Sequence, residues 1–286
     1  MVMKLALPAK CSIELVSEIV AERQNGVNAG YFLDLANEWE ERVQAFVDAG
    51  GNPETIGAWE EIMQHDTRFL TLYNSPADNS VQKAVFDALR KERGHICPAC
   101  GEDGVPHTLD HYLPKSRYPH FAAIPANLFP MCDICQGLKL AKTLNGDHQR
   151  LFIHPYFDDF LRARVLQLTV GEPYDAPRSF LIAPIGELDE ELAELLERHI
   201  KELQIQPRFA HFIKDMHSQL VRTVANIRAM GMPVIPQIEF FRLMEAGRGL
   251  NGWRHIFYAS ILEDAALLEW LQNGDLPDHV NTIPEV

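Results

Sequence analysis

The sequence predicts a mainly α protein with a small metal-stapled module at its centre and a minor antiparallel β component. Three observations predict it. Apolar residues recur at the 3.6-residue helix period on both sides of the centre. Four of the five cysteines form two CxxC pairs, Cys97/Cys100 and Cys132/Cys135, with 31 residues between them. A strand-like alternation places Leu166, Leu168 and Val170 on one face, and a second candidate strand covers 180–185. The chain thus divides into a helical N-terminal region, 1–92, a central module, 93–158, and a mostly helical C-terminal region, 159–286.

In the N-terminal region Ile13, Val16, Ile19 and Val20 mark one helix face, and Leu35, Trp39, Val43, Phe46 and Val47 a second. Gly50-Gly51-Asn52-Pro53 ends the latter, since proline cannot continue a helix. Ile56, Trp59, Ile62, Met63, Phe69 and Leu70 give a third apolar face. A turn-rich stretch, 74–79, leads to Ser80, a candidate cap for a fourth helix carrying Val81, Val85 and Leu89. The aromatic residues follow the helical period, which marks them as core rather than as stacking platforms.

Gly94 breaks that helix and opens the module. Two paired cysteine steps at this separation read as a structural zinc site, with four thiolates around one ion. A redox CxxC needs only one pair beside a βαβ pattern, and no such pattern is present. Residues 101–104 form a turn, and Pro114, Pro119, Pro125 and Pro130 make the middle of the module loop-like. Anchored by Leu113, Tyr118, Phe121, Leu128 and Phe129, that loop is expected to need the metal because its core is small. A short helix is expected after Cys132, through Leu138 and Leu140.

Beyond the candidate strands, four helices are expected. Leu188, Leu192, Leu195, Leu196, His199, Ile200 and Leu203 form the first stripe, with an acidic solvated face that suits the positive end of a helix. Phe209, Phe212, Ile213, Met216, Leu220, Val224 and Ile227 form the next, stopped by Gly231 and Pro233. Segments 238–244 and 253–271 complete the set, and Gly274 with Pro277 ends the last.

Composition sets limits on function. No apolar run approaches the roughly 20 residues of a membrane span, and the apolar N-terminal stretch is cut by Pro8. Thiolates grouped for metal, with Cys11 spare, fit a reducing compartment, so a cytoplasmic protein is expected. The net charge of −14 opposes nucleic acid, whose binding is driven by Lys and Arg displacing counterions. It is unevenly spread: residues 83–150 carry +2, nine Lys/Arg against seven Asp/Glu, leaving −16 for the remainder.

The order CPAC, LDHYLPKS, NLFPMC, then a second CxxC followed by Lys139, resembles the HNH endonucleases in their zinc-stapled form. The resemblance covers about 45 residues, and reaches 154–158 if HPYFD is included. The strings LPKSRYP and HPYFD are most similar to HNH nucleases of bacterial anti-phage systems, such as the nuclease subunit of Septu and its retron-associated relatives.

The resemblance implies a ββα-metal fold and a metal-dependent endonuclease, expected to act on DNA. His111 is then the candidate general base, because a neutral imidazole accepts a proton near pH 7. Asp110, on the other face of an extended strand, offers a hard oxygen to a catalytic Mg²⁺ or Mn²⁺. Asn127 would hold the His-bearing loop. Gln136 departs from the pattern, standing where the family has Asn or His. Its extra methylene moves the carbonyl oxygen by about 1.3–1.5 Å, which weakens Mg²⁺ binding or shifts preference towards Mn²⁺. Lys115, Arg117, Lys139 and Lys142 are candidate phosphate contacts, the alternative being a solvated surface. His107, His120 and His154 lie nearby in sequence and read as hydrogen-bonded structural residues. The resemblance also implies an ATPase or sensor partner in a defence complex. A catalytically decayed zinc protein that binds nucleic acid or acts as a scaffold is the alternative, with Gln136 as its hint.

Overall fold

The computed structural model, which describes residues 3–25, 27–92 and 94–277, is mainly helical with two small two-stranded antiparallel sheets. Its residues sort into two units. One comprises Lys4–Ala99 with Gly104–Asp159, the other Cys100–Asp103 with the chain from Phe160 onward.

The first unit begins with α1 (Ser12–Glu22), α2 (Ala29–Asp34) and α3 (Ala36–Asp48). Leu15, Val16, Ile19 and Val20 are the buried face of α1, while the expected Ile13 is only half-buried. Trp39, Val43 and Phe46 are buried along α3, and the Trp39 ring meets Phe69 edge-on at 4.9 Å. The helix ends at Gly50 and Gly51, whose φ of 60° and 70° a side chain would strain. A Cβ on Gly51 would also stand 2.8 Å from the His154 ring.

The third apolar face is not one helix. A 3-10 turn over Glu60–His65 precedes α4 (Asp66–Asn74), because His65 leaves helical geometry at φ −127°. In α5 (Val81–Lys91) the buried stripe is Gln82, Phe86 and Leu89, rather than Val81, Val85 and Leu89. Its cap is tertiary: the Ser80 hydroxyl donates to the Ala77 carbonyl, and the Val81 N–H donates to the Glu22 carboxylate at 3.1 Å. Glu22 thus takes the role expected of Ser80.

The module packs in the same unit. Strand β1 (Thr108–His111) pairs antiparallel with β2 (Leu128–Met131), setting Asp110 opposite Phe129 and His111 opposite Leu128. Helix α6 (Asp133–Lys139) follows, and Leu140 lies outside it at φ 50°. Every residue of 118–131 is buried. The Trp39 indole donates to the His120 carbonyl at 2.8 Å, and Phe46 and Trp59 pack on Phe121 and His120. The expectation of a loop with little core is therefore corrected: the N-terminal helices supply its core.

In the second unit β3 (Leu166–Val170) pairs antiparallel with β4 (Phe180–Pro184), and Leu166, Leu168 and Val170 are buried in alternation as expected. Among the described residues five helices follow rather than four: α7 (Glu190–Glu202), α8 (Ile205–Ala229), α9 (Val234–Ala246), α10 (Trp253–Glu263) and α11 (Ala265–Asn273). The expected last helix is split at Asp264, which turns extended while its carboxylate caps the Ala266 and Leu267 N–H groups. The Trp253 indole donates to the Cys100 carbonyl at 2.6 Å, Arg208 pairs with Glu102, and Arg248 and Arg254 hold Asp103. Among the described residues no helix is long and apolar enough to cross a membrane.

Candidate active site

The ligand atoms of Cys97, Cys100, Cys132 and Cys135 lie within 4.8 Å of one another, and three of the four residues are buried. Zn–S bonds of about 2.3 Å in a tetrahedron put sulfurs about 3.8 Å apart, so the cluster is of the size a single zinc ion requires. Backbone donors already face the sulfurs: the Cys132 N–H points at Cys97 Sγ (3.3 Å) and the Cys135 N–H at Cys132 Sγ (3.5 Å). The Arg208 guanidinium lies 3.8 Å from Cys100 Sγ and is paired with Glu102, whose carboxylate is 3.9 Å from the same sulfur. An ion held by all four sulfurs would have no open position, which is the arrangement of structural rather than catalytic zinc sites. Among the described residues this is the sole group of three or more His, Cys, Asp or Glu side chains placed to hold an ion.

The second CxxC starts α6, and the hairpin carries Asp110 and His111 on opposite faces. Asp110 is half-buried and turned towards α6: its Oδ1 accepts from the Gln136 amide at 3.3 Å, and its Oδ2 lies 3.2 Å from the Lys139 ammonium. Lys139 is itself 1% exposed and donates to the His111 carbonyl at 2.6 Å. Burial lowers its pKa, and the neighbouring Asp110 opposes that shift. The expected phosphate contact at Lys139 is thus corrected. Its charge is spent on tying α6 to β1.

His111 is 7% exposed, and Nε2 stands 2.9 Å from the Ala122 carbonyl. A carbonyl only accepts, so Nε2 carries the proton and Nδ1 the lone pair. Nδ1 has no hydrogen-bond partner among the described residues and is not sealed from solvent. The Tyr73 ring meets the imidazole edge-on at 4.4 Å. Burial first, then Lys115 and Lys139, push the His111 pKa down to about 3 against the pull of the Ala122 hydrogen bond, so the ring is neutral near pH 7.

Asn127, fully buried, is a clamp. Its Oδ1 accepts from the Leu113 N–H at 2.7 Å, and its Nδ2 donates to the Leu113 and Phe121 carbonyls. It thereby fixes the chain either side of the loop that carries Ala122, the carbonyl that orients His111.

Lys115 sits at the rim, donating to Asn74 Oδ1 at 2.6 Å with its ammonium 4.7 Å from the Tyr73 ring centre. Arg117 and Lys142 are exposed. His107 is exposed too, whereas His120 and His154 are buried among aromatic rings. The HPYFD segment is structural: Asp158 accepts from the His154 N–H and pairs bidentately with Arg150. Sequence reasoning missed Tyr73, 38 positions before His111 and carried on α4. Its hydroxyl donates to the Leu109 carbonyl at 2.7 Å. No local spacing signals such a contact.

No family model matches the chain, and no solved structure matches it. The chain is similar to Protein ea31 of Escherichia phage lambda, 34% identical over 80 residues. The match covers 28% of this chain and 27% of the phage protein, so the chain spans about a quarter of the length of the relative it matches.

Proposed function

We propose that the chain is a metal-dependent endonuclease of the HNH type that hydrolyses nucleic-acid phosphodiesters, with DNA as substrate. One observation carries the reading: a neutral imidazole with an open Nδ1 and a carboxylate beside a carboxamide occur on neighbouring residues of one hairpin, next to a four-cysteine cluster. In this reading His111 takes the proton of the attacking water at Nδ1. The Ala122 carbonyl and Asn127 keep that nitrogen free. The Tyr73 edge holds the ring against rotation, and Lys115 at the rim meets the phosphate. An anionic phosphate beside the ring raises its pKa, so the base strengthens when substrate arrives.

Asp110 and Gln136 are the side chains that would hold a divalent cation. A single carboxylate with an amide suits Mg²⁺ or Mn²⁺, which keep several waters and share substrate phosphates. When bound, such a cation supplies charge stabilisation to the phosphoryl oxygens. With a cation between the two side chains, the Gln136 amide would turn its oxygen inward and give up the hydrogen bond it donates to Asp110.

A second reading, a zinc-stabilised scaffold that no longer cuts, is favoured by the engagement of both Asp110 oxygens by Gln136 and Lys139. Plasmid cleavage with Mg²⁺ or Mn²⁺ separates the two. The nuclease reading expects nicking by the native chain that Asp110→Asn removes, with Gln136→Asn improving the Mg²⁺-supported rate. Activity that appears only in Gln136→Asn establishes the decayed reading. A defence role, and an ATPase or sensor partner that licenses cutting, rest on the family resemblance alone.

A further inference from the structure

The second unit holds a cleft of about 300 Å³ against one face of α8. Its bed is apolar, formed by Phe180, Val221 and Pro177. Two cations border it, Lys214 and Arg222, eight residues apart and so about 12 Å along the helix axis. Both are exposed, and neither has an ion pair among the described residues. Other arginines of this unit do: Arg164, Arg208, Arg242, Arg248 and Arg254 are each paired with a carboxylate. Lys214 and Arg222 thus bring two cations without a carboxylate partner to one cleft of a chain whose net charge is −14.

His217 makes the wall rigid. It is 3% exposed, donates from Nε2 to the Tyr174 carbonyl at 2.8 Å, and lies parallel to the Trp270 ring at 10°. Asp175, which lines the cleft from the loop between β3 and β4, gives it one carboxylate acceptor. An apolar bed, two separated cations and one acceptor form a recognisable complement. It fits a flat ring that stacks, an anionic group at one end, and an N–H or hydroxyl donor to be read by the carboxylate. The volume suits a ligand of mononucleotide size and excludes a duplex.

We propose that this cleft binds a free nucleoside phosphate, as a site separate from the hairpin that carries His111. The ring lies on Phe180 and Val221, and the phosphate takes Arg222 or Lys214. The proposal does not depend on the endonuclease reading, because its readout is binding.

Calorimetry of the full-length, zinc-loaded chain with the four ribonucleoside monophosphates, and with inorganic phosphate as control, tests it. At least one monophosphate is expected to bind more tightly than inorganic phosphate. Arg222→Glu and Lys214→Glu, both at exposed positions that leave the core intact, are each expected to weaken it about tenfold or more, the size of one lost charge-assisted hydrogen bond. Val221→Phe, which fills the bed, is expected to weaken the nucleotide without changing the phosphate control. The proposal is overturned if no monophosphate binds at millimolar concentration, if inorganic phosphate binds as well as the nucleotides, or if both charge reversals leave the affinity unchanged.

Discussion

Stripping the zinc with a chelator under reducing conditions is expected to lower the stability of the chain by several kcal/mol, below the roughly 10–16 kcal/mol of zinc-finger peptides, which have little core without the metal. Cys97, Cys100, Cys132 and Cys135 converge within 4.8 Å, and without an ion two or more thiolates in that space repel or take up protons. The loss is local in origin. Residues 118–131 stay covered by Trp39, Phe46 and Trp59, so the apo chain is expected to keep most of its far-ultraviolet helical signal at low temperature. Urea titrations with and without chelator measure the difference. Thiol counting gives a second check: exposed Cys11 reacts at once, and the other four react only after metal removal. Five thiols reacting together in the native protein would contradict the assignment.

Replacing His111 is expected to lower the cleavage rate by about 10² to 10⁴, the range a positioned general base contributes. His111→Ala also orphans the Ala122 carbonyl and opens space beside Tyr73, so a loss of folding would mimic the result. His111→Gln is the control, because its amide N–H reaches towards the same carbonyl and cannot accept the proton. Both variants are expected to show that loss of rate and keep a measurable residual rate, with His111→Gln melting near the native chain. The pH profile adds a sign. Burial holds the free imidazole at about 3, so kcat/KM should stay level from pH 8 down through the ordinary histidine range. A descending limb near pH 6.5 that vanishes in His111→Gln would show the ring to be solvated, against the packing described.

The parts of the site that lie close in sequence were legible from it. CxxC spacing identified the four sulfurs, and the two-residue period of a strand put Asp110 and His111 on opposite faces. The alternation of Leu166, Leu168 and Val170 likewise marked β3. What spacing could not show was which partner each side chain meets. Lys139 reads as a surface charge, yet α6 is so short and so closely tied to β1 that its last turn faces the hairpin. There Asp110 and a backbone carbonyl satisfy the ammonium. Gln82, polar by type, takes a buried place on α5 because Phe86 and Leu89 share its face. Asp264 splits a periodic apolar run because its carboxylate caps a new helix, competing locally with the periodicity. Tyr73 reaches His111 from another helix, through tertiary packing alone.

The most direct test is diffraction from the zinc-loaded chain soaked with Mn²⁺ and a short DNA, using manganese anomalous scattering to locate the ion. Manganese is expected in contact with Asp110, with a backbone phosphate beside it within reach of His111 Nδ1 and zinc undisturbed among the four cysteines. Manganese bound elsewhere, or Asp110 still closed by Lys139 and Gln136 with DNA on another surface, would contradict that expectation.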